Sequence, residues 1–127
     1  TGTKLITLGG DHSIALPLLR AHAKKHGPVS LVHIDAHIDT WESEFESVPY
    51  SHGTPFRHAL NEGLIRKGEY LQIGIRGPLS GANDYADAAA LGADEGGRTE
   101  GCRKRFFAVA EEIDERRLQE RRRLELG

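Results

Sequence analysis

The chain has 127 residues, enough for one compact domain with a hydrophobic core. Hydrophobic residues make up 38% and charged residues 28%, a balance that excludes a disordered or membrane-spanning chain. The net charge of −2 gives no reason to expect nucleic acid as a partner. The single cysteine, Cys102, excludes an internal disulfide. With no secretory pattern at the start, it favours a cytoplasmic location.

The first half of the chain begins with strand and helix patterns in alternation. The apolar run KLITL over residues 4–8 predicts a first strand. Residues 14–27 predict a helix, with Asp11 or Ser13 as its cap and Gly27 at its end. VSLVHI, over Val29–Ile34, predicts a second strand that is apolar on both faces, and hence covered on both sides of the sheet.

The alternation continues after a polar loop over residues 35–51. TPFRHALNEGLI, residues 54–65, predicts a helix capped by Thr54, and YLQIGI, residues 70–75, predicts a third strand. A turn and an alanine-rich helix follow over residues 77–92. Strands and helices in alternation, with short links, predict an α/β fold with a mainly parallel sheet.

The composition changes near residue 92. All seven histidines lie between His12 and His58, whereas arginine and glutamate dominate the later residues. We therefore interpret residues 1–92 as the central part of an α/β domain and residues 93–127 as a charged helical tail. Residues 106–126 have a helical apolar pattern, and the arginines at 121–123 fit a solvated helix end better than a nucleic-acid site.

Ionisable side chains follow the first two predicted strands at the points where the strands end. Asp11 and His12 follow the first strand, and Asp35, His37 and Asp39 follow the second. Adjacent parallel strands bring both sets to one edge of the sheet, and residues two apart in extended backbone point the same way. Carboxylates mixed with imidazoles suit Mn²⁺, Zn²⁺, Fe²⁺ or Ni²⁺, and the share of carboxylates favours Mn²⁺.

Other interpretations of these histidines stay open at this point. A single D-x-H sequence can be a solvated loop, and His12 alone can be a helix N-terminal residue bonded to backbone. We interpret His22, His26 and His33 as structural or solvent-facing residues. His52 on its own would be read as a loop histidine near Tyr50. The two polar clusters together favour a metal site.

Three motifs resemble those of the ureohydrolases, the arginase/agmatinase family. They are GGDHS at residues 9–13, DAHID at 35–39 and SHGTPF at 51–56, in the family's order and approximate spacing. LQIGIRGP at residues 71–78 resembles the strand after the third motif. The resemblance covers about residues 4–92, and three ordered motifs are far more specific than one. SHGTPFRHA and QIGIRG are more similar to the agmatinase branch than to arginase.

The resemblance implies an incomplete three-layer α/β/α fold and a site for two Mn²⁺ ions. It implies that His12 binds one ion and His37 the other, that Asp35 bridges both, and that Asp39 completes the site of the first. A hydroxide then attacks the guanidinium carbon of an agmatine-like substrate, giving urea and an amine. His52 corresponds to the family's proton-shuttling histidine. An intact protein of this family is a homo-oligomer.

The glutamates at 42, 44 and 46 lie in the loop that could meet a cationic substrate, and they could equally be solvated charges.

The family also takes ligands from a later strand with the pattern S-x-D-x-D-x-x-D-P, for which this sequence has no match. We hypothesise truncation, or a shifted reading frame after about Gly92. The prediction is an agmatinase-like hydrolase. The alternative is a catalytically incompetent fragment with at most partial metal binding. A third interpretation, a deacetylase of the same fold, is disfavoured by the SHGTPF and GGDHS motifs.

Overall fold

The computed structural model describes residues 4–44 and 48–96, the last three by their backbone alone. In chain order it has a 3-10 turn over His12–Ile14, helix α1 over Ala15–His26 and strand β1 over Val29–Ile34. Helix α2 over Pro55–Asn61, strand β2 over Ile65–Ile73, helix α3 over Asp84–Leu91 and strand β3 over Ala93–Gly96 follow. The alternation of strands and helices agrees with the predicted α/β class.

The three strands form one sheet in the order β1-β2-β3, and both pairs are parallel. In the register of the first pair, His33 lies opposite Gln72 and Ile34 opposite Ile73, after an irregularity between Val29 and Leu31. The parallel sheet is therefore confirmed. Its register sets the carboxyl ends of β1 and β2 side by side, where the polar residues follow.

The helix boundaries follow from local chemistry. Asp11 accepts a hydrogen bond from the Ser13 backbone N–H (2.8 Å), which starts the 3-10 turn that leads into α1. Gly27, with φ of 77°, ends α1 in a backbone conformation that glycine adopts without steric cost. Thr54 is the residue before α2, as predicted, but its hydroxyl bonds the Pro49 and Ser51 carbonyls rather than capping the helix.

The core lies between the helices and one face of the sheet. Its buried apolar residues come from the three helices, the strands and the loop after β1, and they include Leu16, Leu19, Ile38, Phe56, Ala59, Ile65, Tyr70, Ala88 and Ala93. Two of them, Ile38 and Tyr70, are 1% exposed. Because Ile38 belongs to the loop after β1, the core itself holds that loop in place.

Two predictions about the sheet are wrong. Residues 4–8 form no strand, and Leu5, Ile6 and Leu8 are exposed, because strand propensity needs a partner and β1 pairs only with β2 among the described residues. Among the described residues, strand β1 is also covered on one side only: Val32 and Ile34 are exposed, while His33 is buried. The described helices cover the face that carries His33.

Smaller differences concern boundaries. The predicted helix over residues 54–65 ends at Asn61, and the strand predicted over residues 70–75 spans Ile65–Ile73. Strand β3 was not predicted; it continues the sheet past residue 92 by pairing with β2. Predictions for residues 97–127 and for Glu46 lie outside the described residues. Among the described helices, none is long and apolar enough to cross a membrane.

Candidate metal centre

The loop after β1 is tied to the segment after β2. The Asp35 N–H donates to the Ile73 carbonyl (3.1 Å), and the Ala36 carbonyl accepts from the N–H groups of Arg76 (2.8 Å) and Gly77 (2.7 Å). Gly74 has a φ of 88°, and a Cβ there would lie 3.2 Å from the Asp35 carbonyl oxygen. This close approach and the positive φ both require glycine at position 74. Glycine therefore lets the two segments come close enough to form these backbone hydrogen bonds.

Three of the four predicted metal ligands meet at this edge. His12 Nδ1 lies 2.6 Å from Asp39 Oδ2 and 3.3 Å from Asp35 Oδ2. His12 comes from the 3-10 turn before α1, whereas both carboxylates come from the loop after β1. Phe56 packs edge-on to the His12 ring, with centroids 5.3 Å apart. The site therefore forms only when the start of α1, the end of β1 and α2 come together.

His33 is the fourth member of this group. Ligand-capable atoms of His12, His33, Asp35 and Asp39 all lie within 4.8 Å of one another. His33 is 4% exposed, and its Nε2 lies 3.3 Å from Asp35 Oδ2 but has no partner with hydrogen-bond geometry among the described residues. The sequence predicts a structural role for His33. A signal was present, however, because His33 lies two residues before Asp35, and residues two apart in extended backbone point the same way.

His37 lies at the edge of the group. Its Nδ1 is 3.5 Å from Asp35 Oδ1, about half of its side chain is exposed, and it is not among the four residues whose ligand atoms converge. Its backbone N–H donates to Asp35 Oδ1 (2.9 Å). Gly77 lies against the ring, since a Cβ on Gly77 would be 2.5 Å from His37 Cδ2. His37 is thus in contact with one carboxylate from the solvent side.

His52, the predicted proton shuttle, is half-exposed and paired with a carboxylate. Its Nε2 lies 2.8 Å from Glu44 Oε1, and its Nδ1 lies 3.9 Å from Asp11 Oδ2. Of the two described glutamates in this loop, Glu44 is mostly buried and Glu42 is exposed. Asp11 immediately precedes His12 in the chain, so His52 approaches the metal-ligand group from the side of GGDHS.

Burial and charge set the ionisation of the group. Burial raises the pKa of Asp39, which the His12 imidazole opposes. Burial would also raise the pKa of Asp35, but the backbone N–H of His37 and the His33 imidazole outweigh it, so that pKa is lowered. Burial lowers the pKa of His33 to about 4, against the attraction of Asp35. At neutral pH the group therefore combines an ionised Asp35 with a neutral His33.

The residues present fit a divalent cation. Two carboxylates and the His12 imidazole converge at a partly buried edge, where unneutralised negative charge is costly. Oxygen and imidazole donors in this mixture suit Mn²⁺ or Zn²⁺. An open cleft of about 340 Å³ gives access, and it is lined by residues of the GGDHS segment and its surroundings, namely Thr7, Gly9, Gly10, Asp11, His12, Ile14 and Asp35.

Comparisons with known proteins show which proteins the chain is similar to. The sequence model of the arginase family matches residues 1–122. Mitochondrial agmatinase of Gallus gallus is 52% identical over 85 residues, 67% of this chain and 25% of that protein. Mitochondrial guanidino acid hydrolase of Homo sapiens is 50% identical over 80 residues, 63% of this chain and 22% of that protein.

A solved structure gives the same result for the fold. Proclavaminate amidino hydrolase from Streptomyces clavuligerus superposes with a TM-score of 0.60 at 46% identity. The match covers 68% of this chain and 29% of that one. The chain thus spans about a quarter of the length of the curated relatives that it matches.

Proposed function

The chain belongs to the arginase family, and from this premise we propose that it carries part of a Mn²⁺ site that hydrolyses a guanidino compound to urea and an amine. Its fold is the α/β arginase fold with a parallel sheet, incomplete over these 127 residues. The resemblance to the ureohydrolases is therefore confirmed, whereas activity and substrate are proposals.

One observation carries the proposal: the convergence of His12, Asp35 and Asp39. The His12 Nδ1 lies 2.6 Å and 3.3 Å from the two carboxylates, although 27 residues separate His12 from Asp39. An imidazole and two carboxylates brought together from different elements, beside an open cleft, support metal binding better than a purely structural role.

We assign His12, Asp35 and Asp39 to a first ion and His37 to a second, with Asp35 between them. His37 is in contact with Asp35 Oδ1, while His12 faces Oδ2 of the same carboxylate. The two oxygens of Asp35 thus face different imidazoles, which supports a bridging role. Divalent cations at such a site lower the pKa of water and supply the nucleophile for hydrolysis.

His52 is assigned to the leaving amine. Hydrolysis forms a bond from water oxygen to the guanidinium carbon and breaks the bond from that carbon to the amine nitrogen. The electron pair of the broken bond stays on nitrogen, which needs a proton. His52 is half-exposed and close to the cleft residue Asp11, so it is accessible to both solvent and substrate. Its contact with Glu44 orients the ring.

The proposed substrate is an ω-guanidino compound, with agmatine as the first candidate. The similar proteins are named for agmatine, for a guanidino acid and for proclavaminate amidino hydrolysis. These names share the guanidino or amidino group and differ in the rest of the molecule. We also propose, as for an intact family member, a homo-oligomer in the cytoplasm.

A second candidate is a catalytically incompetent fragment that binds metal only partially. It is favoured by one observation: among residues 4–44 and 48–96, only four ligand-capable side chains converge, and just two of them are carboxylates. Two divalent cations carry four positive charges, which two carboxylates neutralise poorly. This candidate predicts weak binding of a single ion and no turnover.

Urea release decides between the two. The full chain is incubated with Mn²⁺ and agmatine or 4-guanidinobutyrate, beside Asp39→Asn and the exposed-site control Glu42→Gln. We expect urea from the wild type and the Glu42 control, and none from Asp39→Asn. Mn²⁺ binding without urea above the Asp39→Asn level would establish the incompetent fragment. Absence of both binding and urea would refute the hydrolase proposal and agree with the incompetent fragment, which has at most partial metal binding, whereas urea above the Asp39→Asn level would refute the fragment.

A further inference from the structure

We propose that His33 is a positioning residue, which holds the Asp35 carboxylate in place with a proton on Nε2 while Tyr70 and Gln72 bond its Nδ1. The proposal rests on the metal site of the proposed function. His33 was no part of the predicted ligand set, and it lies in the strand rather than in the loop that carries the ligands.

The parallel register builds a polar cluster inside the core. His33 on β1 lies opposite Gln72 on β2, and Tyr70 is two residues earlier on β2, on the same face. His33 is 4% exposed, Tyr70 1% and Gln72 0%. Polar groups buried this completely need partners, and His33 Nδ1, Tyr70 Oη and Gln72 Nε2 find them in one another, whereas His33 Nε2 and Gln72 Oε1 have none among the described residues.

The first step is the orientation of the Gln72 amide. Its Nε2 donates to the Ile38 carbonyl at 2.7 Å. The reverse orientation would place the amide oxygen of Gln72 against that carbonyl oxygen, with no proton between them, so it is excluded. One of the two N–H groups of Gln72 is therefore committed to Ile38. The other faces Tyr70 Oη (3.0 Å) and His33 Nδ1 (3.2 Å).

The second step is the tautomer of His33. If Gln72 donates to Tyr70, the hydroxyl of Tyr70 is free to donate to His33 Nδ1, which lies 3.0 Å away. If Gln72 donates to Nδ1 directly, Nδ1 again accepts. Placing the proton on Nδ1 instead would leave the buried Tyr70 hydroxyl hydrogen without an acceptor, which is costly. In both favoured arrangements a neutral His33 carries its proton on Nε2.

The third step concerns where that proton points. Asp35 Oδ2 lies 3.3 Å from Nε2 without hydrogen-bond geometry, and Nε2 has no hydrogen-bond partner among the described residues, so this carboxylate is the acceptor that a small rotation would bring to the proton. While Nε2 carries this proton it cannot bind a metal ion, so in this tautomer we assign His33 to the group as a donor to Asp35 and not as a ligand. Phe56, with its ring centroid 4.2 Å from that of His33, restricts rotation of the imidazole.

The same cluster also holds the loop. Because Gln72 bonds the carbonyl of Ile38, the backbone between His37 and Asp39 is attached to the centre of the sheet. Orientation of metal-binding carboxylates by such outer contacts typically changes metal affinity by about 10–100-fold. We infer an effect of this size for the contact between His33 and Asp35.

The tautomer is measured on the full, metal-free wild-type chain by two-bond ¹H–¹⁵N correlation spectra of ¹⁵N-labelled histidine at pH 7.5. The His33 signals are assigned by comparison with His33→Gln. We expect the proton on Nε2 and a hydrogen-bonded Nδ1. A proton on Nδ1 overturns the proposal. This measurement needs neither metal nor activity, so it remains decisive if the wild type binds no Mn²⁺ and the proposed function fails.

The effect on the metal site is measured by Mn²⁺ titration with detection of free Mn²⁺ by electron paramagnetic resonance. His33→Phe keeps the ring but removes the donor, and we expect about 10–100-fold weaker binding. His33→Gln keeps an N–H near the Nε2 position and should recover most of the affinity. The control is His22→Phe on the exposed face of α1, which should bind as the wild type does.

Two results of the titration overturn the positioning role. One is a His33→Phe variant that retains native circular dichroism and binds Mn²⁺ as tightly as the wild type. The other is equal loss of affinity in His33→Gln and His33→Phe, together with loss of one imidazole nitrogen coupling from the bound-Mn²⁺ spectrum. That second result would make His33 a ligand. If His33→Phe does not fold, the comparison of His33→Gln with the wild type and the proton position decide.

Discussion

Acidification should destabilise the metal-free protein through the charging of His33. Burial lowers the pKa of this imidazole from 6.5 to about 4. The folded state therefore binds the proton more weakly than the unfolded state does. The stabilisation is fully present above pH 6.5 and is lost as the pH falls through the folded pKa. At about 1.4 kcal/mol per pKa unit, the loss amounts to as much as about 3 kcal/mol.

The assay is urea unfolding between pH 7.5 and pH 4, followed by fluorescence of Trp41, the one tryptophan of the chain. We compare the wild type with His33→Gln and with His22→Phe as the control. Titrating groups distant from His33 contribute similarly to all three proteins, whereas Asp35, whose pKa His33 lowers, contributes to the difference as well. We expect the free energy of unfolding to fall by up to about 3 kcal/mol more in the wild type than in His33→Gln. Parallel pH curves for these two proteins would refute the reasoning.

Two further predictions concern the solvent side of the site. Gly77→Ala brings a methyl group to 2.5 Å from His37 Cδ2, so the exposed imidazole ring must move. We expect weaker Mn²⁺ binding in a titration. Unchanged affinity would show that His37 holds no ion. Glu44→Gln replaces the charged partner of His52 Nε2 at 2.8 Å by a neutral one, and we expect up to about tenfold slower urea release. The exposed Glu42→Gln should release urea as the wild type does, and equal rates in both variants would contradict the role of Glu44.

The sequence correctly predicted the elements whose signals are local. Strand β1 spans Val29–Ile34 as expected, because a mainly apolar run rich in β-branched residues, between a Gly-Pro pair and an ionisable loop, predicts a strand. Helix α1 agrees within a residue at each end for the same reason, since Asp11, which caps the 3-10 turn that leads into it, and its terminator Gly27 are both short-range features. His12, Asp35 and Asp39 meet as expected, although His12 comes from the 3-10 turn before α1 and not from the end of the predicted first strand.

The misses involve contacts between distant residues. Residues 4–8 have strand propensity, but a strand exists only through hydrogen bonds to a neighbour, which propensity does not report. The sequence predicts only a structural histidine at position 33, because the environment of His33 depends on Gln72 and Tyr70, 39 and 37 residues away. No local pattern reveals that these three side chains are buried against one another.

The sequence by itself determined the α/β class, the parallel sheet and the set of residue types that follow each strand, because periodicity and motif order are written along the chain. Only the tertiary structure decided that the outer face of β1 is exposed, that His37 lies on the solvent side, and that His33 lies against Asp35. The physical reason is register. Pairing of β1 with β2 sets His33 opposite Gln72, and the hydrogen bonds that follow from this pairing determine which nitrogen of the imidazole faces the metal ligands.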